Sequence, residues 1–432
     1  MQKNPGQKVI VFLEKDSPRL RYTFKVLLQV ILEWEVDFRT GSFPQPATFP
    51  SLSYGSRPIP GTVWLAADSR FDWSGKAGIY SLENWKKPGF DRVAGAFSLL
   101  SFAAYRQNPV FDPLGRYRHE LYFPFTGGDA DVPVVHVWAM EIAASLQAAF
   151  PDAGLTLPGP RPPIFTVDVD FPWKYLHRPP LVHLGGMAKD LLRGDFSRLR
   201  ERWRVYFSRK DPYFTFEVLF SLLPPAQSRF FFLIERRHAL DGRATWRLPA
   251  LQRVVNEMLA KGFSCGVHPS FSTMDRTDWL LEELALFSGM AGRLVQQSRQ
   301  HYLRFRIPDT WAVLAQTGIA AEYSLCPLTR TGFIGGMAKP YPWYDPDQDR
   351  ETSLWLHPSQ AMDRGMMKYE GMDARAACDR IRALHRQAQA HLGGVTILLH
   401  NDAWSDSEEW RGWSMPLTEL ISELKNTSHQ DL

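Results

Sequence analysis

Three short strings in this 432-residue chain end an apolar, β-branched run in a carboxylate or an imidazole: Thr166-Val-Asp168-Val-Asp170, Gly266-Val-His268-Pro-Ser-Phe-Ser272 and Val395-Thr-Ile-Leu-Leu-His400-Asn-Asp402. Strand ends are where α/β folds gather chemistry, because the sheet is rigid and the loops beyond it are free to vary. Carboxylate oxygens together with imidazoles are the donor set of a Zn²⁺-type hydrolytic site. Asp168 and Asp170 lie two apart on an extended segment, so both point to one side. Two carboxylates that close raise one pKa unless a cation sits between them. A metal held by one, with the other left as a general base, resolves that conflict. The alternative is one Asp capping a loop and one solvated Asp.

His268 is fixed by Pro269 at the end of its run and is placed as a metal ligand, although a lone His is more often structural. Two readings of His400 are open. It is a general acid to a leaving amine, its tautomer fixed by Asp402 or a backbone carbonyl, or it is a histidine hydrogen-bonded at a strand end. The string Ser298-Arg299-Gln-His301-Tyr-Leu-Arg304 adds His301 as a further candidate. Arg299 would orient a carboxylate bidentately, as a Lys cannot, unless it is a solvated surface residue. The Gly-rich stretch 331–336 lacks the spacing of a phosphate loop and is expected as a tight loop lining a cleft. There is no G-x-S-x-G, so a serine esterase is unsupported.

These groups need strands to hold them. Beyond residue 163, strand-like runs (163–169, 230–234, 263–267, 293–297, 319–323, 395–399) alternate with helical ones (248–261, 278–288, 308–317, 374–391). That rhythm predicts parallel βα units, wound as a sheet or closed as a barrel. Ahead of them the pattern predicts a strand over 9–13, a helix over 19–34 started by Ser17-Pro18, a Pro-, Ser- and Gly-rich loop over 40–61, and helices over 90–105 and 134–150. The proline-rich connector 151–163 places a boundary between an N-terminal mixed α/β domain, 1–152, and a C-terminal part, 163–432. The length also exceeds the usual single core.

Fifteen Trp and 28 Phe fit either an aromatic cleft for sugar rings or a large aromatic core. A net charge of +4 from 50 basic and 46 acidic residues gives no argument for nucleic acid. The basic run 198–210, interleaved with Leu, Trp and Phe, reads as an amphipathic helix with a solvated face. Three cysteines without C-x-x-C spacing fit buried thiols in a reducing compartment. The first residues lead into an apolar run too short for a signal-peptide core, and no later run reaches membrane-spanning length, so the expected address is the cytoplasm.

Taken as an ordered set, these strings resemble the polysaccharide deacetylase superfamily, carbohydrate esterase family 4. The C-terminal strings 166–170, 266–272, 298–305, 332–336 with Tyr344-Asp345, and His400-Asn401 resemble its catalytic part. Arg19 to Phe24, Phe97 to Ser101 with Tyr105, and Asp112 to Tyr117 resemble the N-terminal domain of a bacterial branch. The resemblance implies a distorted (β/α) barrel of the NodB type after a smaller mixed α/β domain. It implies Asp168 as catalytic base, Asp170 and His268 as metal ligands, Arg299 as the residue holding the base, and His400 as general acid. The superfamily's second His, four residues after the first, is replaced here by Ser272. Either His301 or water then completes the metal sphere, or metal binds weakly. The implied activity is removal of an acetyl group from an amino sugar or glycan by a divalent metal, Zn²⁺ by expectation, with the oxyanion stabilised by the metal and a backbone N–H near Tyr302. The competing readings are a barrel that binds glycans without hydrolysing them, a different metal-dependent hydrolase on the same fold, and a glycosyltransferase using Asp168-Val-Asp170 as its D-x-D string. No oligomeric state follows from the sequence.

Overall fold

The structure, a computed structural model, describes residues 7–40, 49–73, 80–235, 237–242 and 248–427. Residues 1–6, and 41–48 of the expected loop over 40–61, lie outside them. Four runs near the N-terminus form one parallel sheet: β1 (Lys8–Leu13), β2 (Glu35–Thr40), β3 (Ser51–Gly55) and β4 (Val63–Ala66), in the order β2-β1-β3-β4. β1 is the apolar run expected over 9–13, and it is buried from Val9 onward. The helix that follows starts as expected: the Ser17 side chain accepts a hydrogen bond from Leu20 N, and Pro18 needs no partner for the donor it lacks. At Lys25 it widens into a π-helix that ends at Ile31.

Two expectations fail here for tertiary reasons. The stretch 40–61 contains β3, a fully buried strand whose sequence Ser-Leu-Ser-Tyr-Gly carries too little apolar pattern to announce itself. Tyr54 gives it an anchor, donating from Oη to Asp91 at 2.6 Å, and Asp91 also caps the helix Arg92–Leu100. The helix expected over 90–105 is broken at Phe102, which takes φ 53° and divides it from a second short helix, Ala103–Gln107.

The second sheet has nine strands. They are β5 (Ile164–Val169), β6 (Ser228–Phe232), β7 (Ser264–Val267), β8 (Gln297–Ser298), β9 (Ala321–Glu322), β10 (Tyr341–Asp345), β11 (Arg350–Leu356), β12 (Ala361–Met362) and β13 (Thr396–His400). Their order is β10-β11-β9-β8-β7-β6-β5-β13-β12, parallel except for the β10–β11 hairpin. Of the two expected arrangements, a wound sheet or a barrel, the hydrogen bonds make a sheet that does not close, with β10 and β12 at its edges, so the distorted barrel that the resemblance implies is not closed here. β10 is shielded by the N-terminal helix instead of by a second neighbouring strand, since Tyr22 Oη donates to the Pro342 carbonyl at 2.9 Å and its ring lies 4.8 Å from Tyr344. A covered edge satisfies the strand without closure.

One apolar core runs from Val9 to Leu424 through both sheets. Trp34, Trp138, Trp311, Trp343 and Trp410 are fully buried in the fold, so much of the aromatic content is core. The three cysteines are buried and free. The Gly-rich segment 331–336 does not line a cleft. It is a packing joint, where a Cβ on Gly336 (φ 67°) would stand 2.6 Å from the Val134 side chain and one on Gly332 would meet the Ala130 carbonyl at 2.6 Å. Among the described residues no helix is long and apolar enough to cross a membrane.

Candidate active site

Parallel pairing decides which residues meet. His400 at the end of β13 pairs with Asp168 on β5, Val169 pairs with Phe232 on β6, Phe232 with Val267 on β7, and Val267 with Ser298 on β8. Asp170, His268 and Arg299 are each the next residue beyond that row. Five chemical groups separated by up to 232 residues thus arrive at one end of one sheet.

Asp170, His268 and His301 offer one ligand atom apiece within 4.8 Å of one another. Asp170 Oδ1 lies 3.4 Å from His268 Nε2 and 3.8 Å from His301 Nε2. Atoms held about 2.1 Å from a tetrahedral ion stand ~3.4 Å apart, so the set has the dimensions of a divalent-metal site. The outer ring nitrogens are committed in the way such ligands require. His268 Nδ1 donates to the Arg299 carbonyl at 2.5 Å, and His301 Nδ1 donates to Asp241 Oδ1 at 2.7 Å. Both Nε2 atoms are left facing Asp170. His301 is held beside the end of β7 by its backbone N, which donates to the Pro269 carbonyl at 3.1 Å, and the chain turns sharply just after it, at Tyr302 and Leu303, with left-handed φ of 60° and 56°. Ser272 lies on the turn Phe271–Met274 and does not line the pocket.

Electrostatics act differently on the two rings. Burial pushes the His301 ring below its ordinary pKa, outweighing the Asp241 and Asp170 carboxylates, and so favours the neutral ligand form. For His268 burial acts in the same sense but is overcome by Asp168 and Asp170, and its pKa is raised. Burial opposes ionisation of Asp170, yet the hydrogen bond to His268 and the charges of His301 and His400 hold its carboxyl well below the usual range.

Asp168 is placed by Arg299. Arg299 Nη1 donates to Asp168 Oδ1 at 2.8 Å, leaving Oδ2 on the side of His268, 3.7 Å from its Nε2. The guanidinium is wholly buried and fixed at every corner: Nε donates to the Tyr323 carbonyl at 3.0 Å, Nη2 to Ser359 Oγ at 3.2 Å, and its centre lies 4.8 Å from the Phe231 ring. Gly266 makes that possible, since a Cβ there would stand 2.5 Å from the Phe231 ring. The surface-Arg alternative is thereby removed.

His400 Nδ1 donates to Asp363 Oδ1 at 2.6 Å, and its backbone N donates to the other oxygen at 2.7 Å. Asp402, one of the two expected partners, is instead engaged by Arg364 at 2.5 Å. Burial disfavours the imidazolium, but Asp363 outweighs it and the His400 pKa is raised. Nε2 lies 3.9 Å from Asp170 Oδ2, on the far side of that carboxylate from His301.

The pocket around these groups has a volume of about 200 Å³. Sequence reasoning missed Asp241, Asp363, Arg364, Tyr369 and Arg116. Arg116 comes from the N-terminal part: Asp112 accepts from the backbone N of Leu114 and Arg116, and the bend so formed is clamped by Arg304 and Arg306, which donate to the Leu114 and Gly115 carbonyls at 3.0 and 2.6 Å. The only signal for it was the string Asp112 to Tyr117 itself.

Residues 9–151 match a family of unknown function, DUF7033. No curated protein matches the chain. Among solved structures it is similar to a candidate polysaccharide deacetylase from Mycobacterium smegmatis, at 13% identity and a TM-score of 0.39, over 64% of this chain and 89% of that one. It is also similar to a candidate polysaccharide deacetylase involved in O-antigen biosynthesis from Bordetella bronchiseptica, at 11% identity and a TM-score of 0.33, over 60% of this chain and 90% of that one.

Proposed function

We propose that this protein is a metal-dependent hydrolase that removes an acetyl or similar acyl group from the nitrogen of an amino sugar or glycan. The observation that carries the reading is the flanking of a three-ligand set by two separately oriented proton-transfer groups: Asp168 stands beside His268, and His400 beside the second oxygen of Asp170. The amino-sugar part rests on the order of the sequence motifs.

Asp170, His268 and His301 would hold a divalent cation, Zn²⁺ being the best match to one carboxylate and two imidazoles. Such a cation supplies polarisation of the acyl carbonyl and acidifies water. Asp168 takes the proton of the attacking water on Oδ2, because Oδ1 is occupied by Arg299. The Tyr302 backbone N–H is assigned to the developing oxyanion. His400 gives its Nε2 proton to the departing nitrogen, and the bond from Nδ1 to Asp363 keeps the ring aligned as its charge changes. Water and the amide become a carboxylic acid and a free amine. The N-terminal part, proposed as a separate domain, contributes Arg116 to the wall of the pocket.

The test combines metal content with acetate release from acetylated amino-sugar oligomers. Wild type should bind one divalent ion, and Asp170→Ala should lose it. Asp168→Asn should keep the ion while turnover falls ~10²–10⁴-fold. Undiminished turnover in Asp168→Asn removes that residue as base, and a wild type that takes up no divalent metal defeats the reading.

A further inference from the structure

Between β5 and β6 the chain forms three helices, of which the first two, Pro180–Leu192 and Phe196–Ser208, are joined by a short turn. Together these two bury only Asp190 and Val205. That is an unusual economy, because the segment is rich in large apolar residues. In the first helix Leu181, Leu184, Leu191 and Leu192 recur on one side at helical spacing, and all are exposed, Leu192 at 88%. In the second, Phe196, Trp203 and Phe207 share a side and are exposed too, Phe207 at 75% and Trp203 at 47%. The Trp203 and Phe207 rings stack on each other at 5.7 Å. An amphipathic helix on a soluble surface turns its apolar side inward. This pair turns it outward: the helix expected over 198–210 is solvated, on its apolar side as well as its basic one.

The charge on the same segment is selective. Residues 180–210 hold eight Lys and Arg against three Asp and Glu, a net +5 in a chain whose total is +4. Arg198 and Arg202 are spent on Asp195, Glu408 and Asp190 within the fold. Arg193, Arg200 and Arg204 make no ion pair among the described residues, and Arg200 and Arg204 flank the Phe196–Trp203–Phe207 side on the helix. The charge left over on this segment is of one sign, which complements an anionic surface. Here arginine alternates with leucine and aromatic residues, which suits a surface where aromatic rings sit at headgroup level and arginine reaches the phosphates.

We propose that the helix pair 180–208 is a membrane-docking element that lies on an anionic lipid surface without spanning it, Leu192 and the Trp203–Phe207 side entering the acyl boundary and Arg193, Arg200 and Arg204 meeting lipid phosphates. The helix pair stands next to the candidate active site through the side opposite its docked face. Arg198 and Arg202 line a cavity of about 290 Å³ that shares Phe171 and Arg364 with the metal pocket.

The experiment is co-sedimentation of the full chain with phosphatidylcholine vesicles and with vesicles also containing phosphatidylglycerol. It needs no catalytic activity. Wild type should sediment with the anionic vesicles, and less so as salt is raised. Leu192→Glu with Phe207→Glu should abolish binding, and their exposure predicts an unchanged melting temperature. Arg200→Gln with Arg204→Gln should weaken it by about thirtyfold, roughly fivefold per charge. Folded wild type that ignores anionic vesicles overturns the proposal, as does equal binding by either variant. Self-association of wild type that the Leu192→Glu, Phe207→Glu protein loses would assign the face to a second copy and overturn it as well.

Discussion

The Asp241→Asn substitution probes the proposed metal site through a residue outside the three-ligand set. Asp241 Oδ1 accepts from His301 Nδ1 at 2.7 Å and from Phe271 N at 2.8 Å, while Oδ2 accepts from His238 N at 2.9 Å. A carboxylate serves three donors easily. An amide has one accepting atom. If the Asn oxygen faces His301 and Phe271, its NH₂ confronts the His238 N–H and leaves that donor unpaired. If it is flipped, the NH₂ faces His301 Nδ1, which then must carry its proton on Nε2 and cannot ligate. Either outcome costs the equivalent of a buried unsatisfied donor, about 1–3 kcal/mol, in line with the 10–100-fold loss typical for residues that orient metal-bound histidines. Competition against a chromophoric chelator, with Zn²⁺ or Co²⁺, should therefore give a Kd weakened by about 10–100-fold. Ser272→Ala, run beside it, should change nothing, because Ser272 lies outside the pocket lining. An Asp241→Asn protein that melts normally and binds metal like wild type would refute the claim that His301 is a ligand held by Asp241.

Two further tests concern the scaffold. Glu322, fully buried on β9, is pushed by burial from 4.5 up to about 7, against the pull of its hydrogen bonds to Ser324. The folded state thus holds this proton more tightly than the unfolded chain, and the contribution is complete below about pH 4.5 and lost as pH rises toward 7; Glu322→Gln should leave stability unchanged near pH 4 and raise it by up to about 3 kcal/mol above pH 7, and denaturant unfolding at both pH values that shows parallel shifts would contradict this. Gly336→Ala forces a Cβ to 2.6 Å from Val134 at φ 67°, which should cost roughly 2–4 kcal/mol of unfolding free energy; a midpoint equal to that of wild type would remove Gly336 from the joint between the N-terminal part and the large sheet.

What could be read in advance was the inner ring of the site. Asp168, Asp170, His268 and His400 each end an apolar run, and a run of that kind needs no tertiary information to be recognised as a strand. Arg299 and His301 were visible only as chemistry, because β8 is two residues long and the pattern over 293–297 put its centre too early. Asp241 and Asp363 gave no signal. One sits in a 3₁₀ turn of loop chain, the other opens a six-residue helix, and neither position is marked by periodicity. Their partners lie 60 and 37 residues away, a separation only the sheet order resolves. The same limit hid β3, whose burial is decided by neighbours on both sides and not by its own composition.

Sheet order also explains how the site tolerates serine at position 272. A ligand four residues after His268 would have to come from the turn that follows β7, and here that turn is the 3₁₀ segment Phe271–Met274. β8 lies directly beside β7, with Ser298 level with Val267. A residue three past Ser298, tied to the Pro269 carbonyl through its backbone N, reaches the same corner: the His301 and His268 rings stand 5.0 Å apart. The third donor therefore depends on neighbouring strands and not on spacing within one string. Past His301 the backbone at Tyr302 and Leu303 takes a conformation that non-glycine residues adopt at a cost of about 1–3 kcal/mol each, and the chain leaves this corner sharply. The proposed third ligand is thus fixed from two sides, by its backbone bond to Pro269 and by its ring bond to Asp241.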